Sequence, residues 1–165
     1  MTTAAEDTAR RYRQASETKD IALLTTTLAP DAVLRSPLSS RARFHGARQV
    51  EEVLSAALSV VSDVRYHTDV GDERTRMLAA TGRLDGTELE ESVLLRLDEQ
   101  ARIAELTLWV RPLPALTKLM AALGPALARR KGRPALARLL GPLTAPLVLA
   151  TDLGDRRLVP VVTGR

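Results

Sequence analysis

Apolar residues return along this chain with three rhythms, and each rhythm predicts a different kind of element. Over the first sixty residues they recur every three or four positions. Ala5, Ala9, Tyr12 and Ala15 form one stripe, which predicts a helix with Tyr12 on its buried face. Thr3 and Glu6 stand at its start with capping-box spacing. Asp20 is placed to cap a second, short helix carrying Ile21, Leu24 and Leu28, which Pro30 would stop. "DAVLRSP" follows as a strand, with Ala32, Leu34 and Ser36 on one face and Val33 and Arg35 on the other. "LSSRARFHG" reads as a loop or an irregular edge. From Ala47 to Val61, a stripe through Val50, Val53, Leu54, Ala57, Leu58 and Val61 predicts a third helix.

The period then drops to two. "DVRYHTDV", "RTRMLAATGRL", "TELEESVLLRL" and "RIAELTLWVR" read as four strands, joined by "GDE", "DG" and "DEQA". Asp85-Gly86 is a hairpin signal, because a two-residue turn needs left-handed backbone at both positions. Helices first and a meander afterwards predict an α+β fold, a curved antiparallel sheet with helices on one face. The third rhythm begins after Pro112. "LTKLMAALGPALA" and "LARLLGPLTAPL" are leucine-striped helical patterns, each interrupted by Leu-Gly-Pro, with the basic turn "RRKGR" between them. "DRRLVPVV" reads as a last short strand. Two units are expected: residues 1–112, and a helical tail, 113–165, packing on the first.

Charge divides the chain at the same place. Residues 1–111 hold 15 Lys/Arg and 18 Asp/Glu, a net −3, whereas 112–165 hold 9 basic and 2 acidic residues, a net +7. The basic character belongs to the tail. Aromatic residues are 2% of the chain, too few for the stacking that nucleic-acid binding uses, so no nucleic-acid partner is expected. No run of eighteen apolar residues occurs, so no membrane-spanning helix is expected. Membrane-surface contact through the tail is also disfavoured, since prolines interrupt its apolar stretches and its lysines are few. There is no cysteine, and the start of the chain lacks an apolar run, which together favour a cytoplasmic protein.

Two helices, "APDAVLRSP", "FHG" opening a third helix, and a meander ending "RIAELTLWVRPL" together resemble the nuclear transport factor 2-like, or SnoaL-like, superfamily over residues 4–112. The resemblance implies a cone-shaped α+β barrel with an apolar pocket between helices and sheet. Its members include ketosteroid isomerases, polyketide cyclases and epoxide hydrolases, and many dimerise through the outer sheet face, where Trp109 falls. A homodimer is therefore expected. Against the ketosteroid isomerases, Tyr12 matches the tyrosine of the oxyanion hole, but Ser36 stands where the general base would be and Val93 where the second acid would be. A serine hydroxyl cannot shuttle a proton as a carboxylate does, so that isomerisation is not expected. The epoxide hydrolases' Asp-Arg-Asp set is likewise missing: Arg83 and Asp85 sit at a hairpin and Leu108 takes the second aspartate's place.

Alternation places Leu34, Ser36, Leu78, Ala80, Val93, Leu95, Leu106, Leu108 and Val110 on the concave face, with Val53 opposite on the third helix. Such a lining suits an apolar, oxygenated small molecule. Three polar residues are catalytic candidates. Tyr12 is either a ligand donor or a core residue with a satisfied hydroxyl. Glu91 shares the face of Leu89 and Val93, where desolvation would raise its pKa, although adjacent acids such as "ELEE" are commonly solvated. His67 alternates with Tyr66 and faces either pocket or solvent. With His45 as the only other histidine, no metal site is expected, and there is no nucleotide or dinucleotide fingerprint to imply a cofactor. Two functional classes remain: a pocket protein, binding alone or also acting as an isomerase, cyclase or hydrolase, and an interaction module working through the tail.

Overall fold

In the computed structural model, which describes residues 2–164, the helical patterns open the chain as expected. α1 (Ala4–Thr18) starts at a reciprocal capping box: the Thr3 N–H donates to Glu6 Oε2 at 2.9 Å and the Glu6 N–H to Thr3 Oγ1 at 3.2 Å. α2 (Ile21–Thr25) is capped by Asp20, whose carboxylate accepts from the Leu23 N–H. It ends before Pro30. The hydroxyls of Thr25, Thr26 and Thr27 fold back onto carbonyls of this turn, and side-chain bonds of that kind compete with helix propagation. The chain is therefore already extended at Leu28, three residues earlier than the sequence pattern implies.

The sheet has six strands in the order β2-β1-β6-β5-β4-β3. β1 (Leu28–Arg35) pairs with β6 (Ile103–Arg111) in parallel, so the sheet is mixed rather than purely antiparallel. β2 (Arg43–His45), inside the segment read as a loop, is a short strand on the outer edge of β1. α3 (Ala47–Val60) crosses the concave face. The meander β3 (Ser62–Gly71), β4 (Thr75–Leu84), β5 (Thr87–Leu97) and β6 follows the predicted runs. Asp85 and Gly86, at φ 46° and 71°, make the tight β4–β5 turn. Tyr12, Leu34, Val50, Leu78, Val93, Leu95 and Leu106 form one buried core between α1, α3 and the sheet.

β3 carries two extra residues relative to β4. Tyr66 lies opposite Ala80 but Thr68 opposite Ala79, so His67 is inserted into the strand as a bulge. Tyr66 and Asp69, three residues apart, thereby both turn inward. Asp69 accepts two bonds from the buried Arg76 guanidinium, at 2.9 and 2.6 Å, with Arg13 of α1 at 3.7 Å. This ion pair closes the end of the cone remote from α4.

α4 (Leu113–Arg130) and α5 (Pro134–Leu153) are antiparallel helices joined by the basic turn. Each runs on through its Gly-Pro pair. α4 lies across the open end of the cone, where Ala115, Leu119, Leu123 and Ala126 make a second core with Ala56, Leu84 and Leu89. α5 packs chiefly on α4 and not on the cone. Arg129, Arg130, Lys131 and Arg133 are exposed. Residues 155–162 do not form the expected strand. A wide π turn, Gly154–Leu158, carries α5 into α6 (Val159–Thr163) as one continuous helix. The segment pairs with no strand of the sheet, and as a helix it satisfies its backbone internally. The helix over 134–163 is long and apolar enough to cross a membrane by length and composition alone. An uninterrupted apolar run is the stricter criterion, and by it the sequence showed none. Trp109 stays 48% exposed on the convex sheet face, uncovered by the tail.

The two tail helices should respond differently to truncation. Leu119→Ala is expected to cost about 2–4 kcal/mol, as for other buried leucines, and Leu143→Ala less than about 0.5 kcal/mol. Urea denaturation of the full chain measures both.

Candidate functional site

The interior between α1, α3, α4 and the sheet is not completely filled. Two cavities remain, of about 40 Å³ and about 50 Å³. Tyr12, Ser16, Leu24, Leu58 and Tyr66 bound the first. The second is bounded by Leu34, Ser36, Val53, Val110, Leu119 and Leu123. Leu54, Ala57, Val61, Leu108 and Glu91 line both, which makes them lobes of one apolar space. α4 supplies the wall that separates the second lobe from solvent. Leu78, Ala80, Val93, Leu95 and Leu106 face the concave side but are spent in the core and do not reach a lobe.

Glu91 stands where the lobes meet. β5 pairing sets it opposite Ala80 on one side and Val110 on the other, on the inward face with Leu89 and Val93. Its neighbours Glu88 and Glu90 are exposed on the other face. The Tyr66 hydroxyl donates to Glu91 Oε1 at 3.2 Å. The Tyr66 ring meets Tyr12 edge-on, with centroids 6.2 Å apart and planes at 70°. The Ser16 hydroxyl, one helical turn along from Tyr12, lies beside both phenols. Tyr66 is held from behind, where its N–H donates to Glu17 Oε1 at 2.7 Å.

These groups perturb one another. Burial is the main cause that raises the Glu91 pKa above the ordinary 4.5, and the Tyr66 hydrogen bond offsets only part of it. Both phenols are pushed up by burial and, further, by the neighbouring Glu91 charge. The tyrosines therefore stay neutral donors, and Glu91 keeps its proton to higher pH than an exposed glutamate does. The arrangement presents two phenol hydroxyls and a carboxyl of raised pKa to one apolar space.

The other candidates lie apart. His67, as the bulged residue, points to solvent and bonds Thr68 Oγ1 at 2.9 Å, so it is not an acid or base in this cavity. His45 is exposed. Ser36 lines the second lobe, where its hydroxyl accepts from the Leu38 N–H at 3.2 Å. No carboxylate stands in its place. Among the described residues no three His, Asp or Glu side chains converge as a metal-ligand set. A larger, open cleft of about 460 Å³ on the convex side is edged by Arg83, Glu88, Glu90 and Arg111. These charges pair with one another there, and none is aimed at a ligand. Tyr66 and Ser16 are the site residues that sequence reasoning missed. The inward parity of Val64 would have pointed to Tyr66, while Ser16 differs in no local signal from any other helical serine.

No family model and no curated protein matches the sequence. Solved structures do. A steroid delta-isomerase from Pseudomonas aeruginosa is 30% identical, with 79% of this chain and 93% of that one covered and a TM-score of 0.67. An uncharacterized bacterial protein with a cystatin-like fold from Silicibacter pomeroyi is 22% identical over 70% of this chain and 82% of its own, also at 0.67. A nuclear transport factor 2-like protein of unknown function from Mesorhizobium loti is 19% identical over 67% and 93%, at 0.60. Helices and mixed sheet agree with these likenesses, and the chain belongs to the nuclear transport factor 2-like (SnoaL-like) superfamily.

Proposed function

We propose that this chain is a small-molecule pocket protein whose ligand is apolar and carries one carbonyl or hydroxyl oxygen. Glu91, with Tyr66 and Tyr12, orients that oxygen and gives or takes a proton. The observation that carries the reading is a single one: the one carboxyl lining the cavity is half-buried, shared by both lobes and hydrogen-bonded to a phenol. When it holds its proton, the Glu91 carboxyl forms with the two tyrosines a donor set of the kind that stabilises a developing oxyanion. What the set lacks is a second carboxylate near Ser36. Proton transfer is therefore confined to the Glu91 end, which fits an isomerase, cyclase or hydrolase step on a substrate other than the steroid named for the Pseudomonas protein. The lobes as seen admit only a few heavy atoms, so a larger ligand requires α4 to shift outward.

We further propose a cytoplasmic homodimer formed through the convex sheet face. Support comes from Trp109, a large apolar side chain left exposed between Thr107 and Arg111 and opposite Ser92.

Three measurements test these readings. Organic extraction of the natively purified protein, followed by mass spectrometry, should release such a molecule, and at least about ten-fold less from a Glu91→Gln/Tyr66→Phe double variant. Equal recovery from both proteins, or enzyme-like turnover of a 3-keto steroid by the natural chain, would overturn the assignment. The second measurement uses the raised Glu91 pKa. The folded state holds this proton to higher pH than the unfolded chain, so stability falls as pH rises from about 4.5 to the folded value. Glu91→Gln has no such loss, and its stability relative to the natural protein should climb across that interval in paired urea titrations at acid and alkaline pH. Third, sedimentation equilibrium at tens of micromolar should show a dimer, suited to an association of about −8 kcal/mol, and Trp109→Glu should shift it to monomer.

A further inference from the structure

The outward face of the tail helix is the largest apolar feature that the fold leaves bare. α5 turns Ala137, Thr144, Val148 and Thr151 toward α4 and presents Leu139, Leu143, Leu149 and Leu153 to solvent, at 56%, 65%, 60% and 40% exposure. Leu158, Val161 and Val162 extend the face along α6. This presentation is held in place. The Thr117 and Thr151 hydroxyls bond at 2.8 Å, and Lys118 binds Thr87 Oγ1 at 2.6 Å with Asp152 at 3.9 Å, so the helix cannot readily roll to hide its leucines. Pro142 and Pro146 lie inside an unbroken helix, so they do not interrupt the face as the sequence pattern suggested.

Charge identifies the occupant. From Leu139 to Thr151, thirteen residues, there is no charged side chain. At one end stand Arg129, Arg130, Lys131, Arg133 and Arg138, and at the other Arg156 and Arg157. Of the two acids in the tail, Asp152 is already engaged by Lys118 and Arg156. Two basic ends thus lie roughly 35 Å apart along a helix rising 1.5 Å per residue, with apolar surface between them. A second copy is a poor match. Pairing two such helices in either direction sets arginines against arginines, and like charges in register oppose association. A surface of anionic headgroups over hydrocarbon complements both features together. The uncharged stretch is about 20 Å long, short of the ~30 Å hydrocarbon core, which favours lying along the surface over crossing it. The body of the chain, at net −3, would face away.

We propose that α5 and α6 dock the protein on an anionic lipid surface, with the helix in the headgroup plane, leucines down and both basic ends on the same leaflet. This rests on neither Glu91 nor the cavity. The test is co-sedimentation of the full chain with phosphatidylcholine vesicles containing about a third phosphatidylglycerol, against vesicles of phosphatidylcholine alone. Strong binding to the first and at least about ten-fold weaker binding to the second is expected, with a further loss on raising salt. A Leu143→Glu/Leu149→Glu variant should lose binding about ten-fold while keeping its melting temperature, since both residues are exposed. So should a variant with Arg129, Arg130, Lys131 and Arg133 changed to Ser. No binding to anionic vesicles, binding unchanged by the leucine variant, or retention through alkaline carbonate washing, the mark of a crossing helix, would each overturn the proposal. So would a micromolar dimer that the same leucine variant abolishes.

Discussion

A curved sheet with three helices laid across it leaves one end open, and in this protein the packing of Leu119 and Leu123 against Leu89 and Ala56 closes it. Much else depends on that contact. Without α4 the second lobe would be a water-filled mouth, and the Glu91 carboxyl would regain hydration from that side. The desolvation that raises its pKa is thus partly the work of α4. α5 in turn has little to lean on except α4. Cavity, desolvated acid and exposed helix are three results of one apolar closure, worth about 1.5–3 kcal/mol for each leucine side chain it buries.

Much of the fold was legible because the relevant signals are local. Thr3 and Glu6 mark a helix start through bonds only three residues long, and Asp85-Gly86 marks a turn by backbone preference alone. The concave face followed from alternation, which the β4–β5–β6 pairing keeps almost without interruption. What escaped was non-local. Nothing in "LAPDAVLR" says that its partner is β6 or that the pairing is parallel, and "RFH" is a strand only because β1 has a free edge. The prolines of the tail predict kinked helices, yet α5 runs on through Pro142 and Pro146 while packing on α4.

The site shows the same division. Glu91 was ambiguous from sequence because Glu88 and Glu90, its neighbours in the chain, are solvated, while its neighbours in space are Ala80, Val110 and Tyr66. Tyr12 was found by helical spacing, but its partner Tyr66 was not. The inserted His67 decides whether Asp69 shares the inward face of Tyr66, and a bulge has no signature in the residue types that carry it. Had the strand been regular, Tyr66 and Asp69 would have faced opposite sides, and either the phenol beside Glu91 or the partner of Arg76 would have been lost.

The bulge also bears on how chains of this kind keep apart. β3 is a terminal strand of the sheet, and its outer backbone groups would be an open template for another strand. Two inserted residues, one with Asp63 at φ 53° and one at His67, break the regular ladder spacing that a pairing strand would need, and Asp63, Arg65 and His67 put polar groups along the rim. The irregularity that brings Tyr66 and Asp69 to one face thereby denies the sheet a further strand, and leaves self-association to the faces of the molecule rather than its edge.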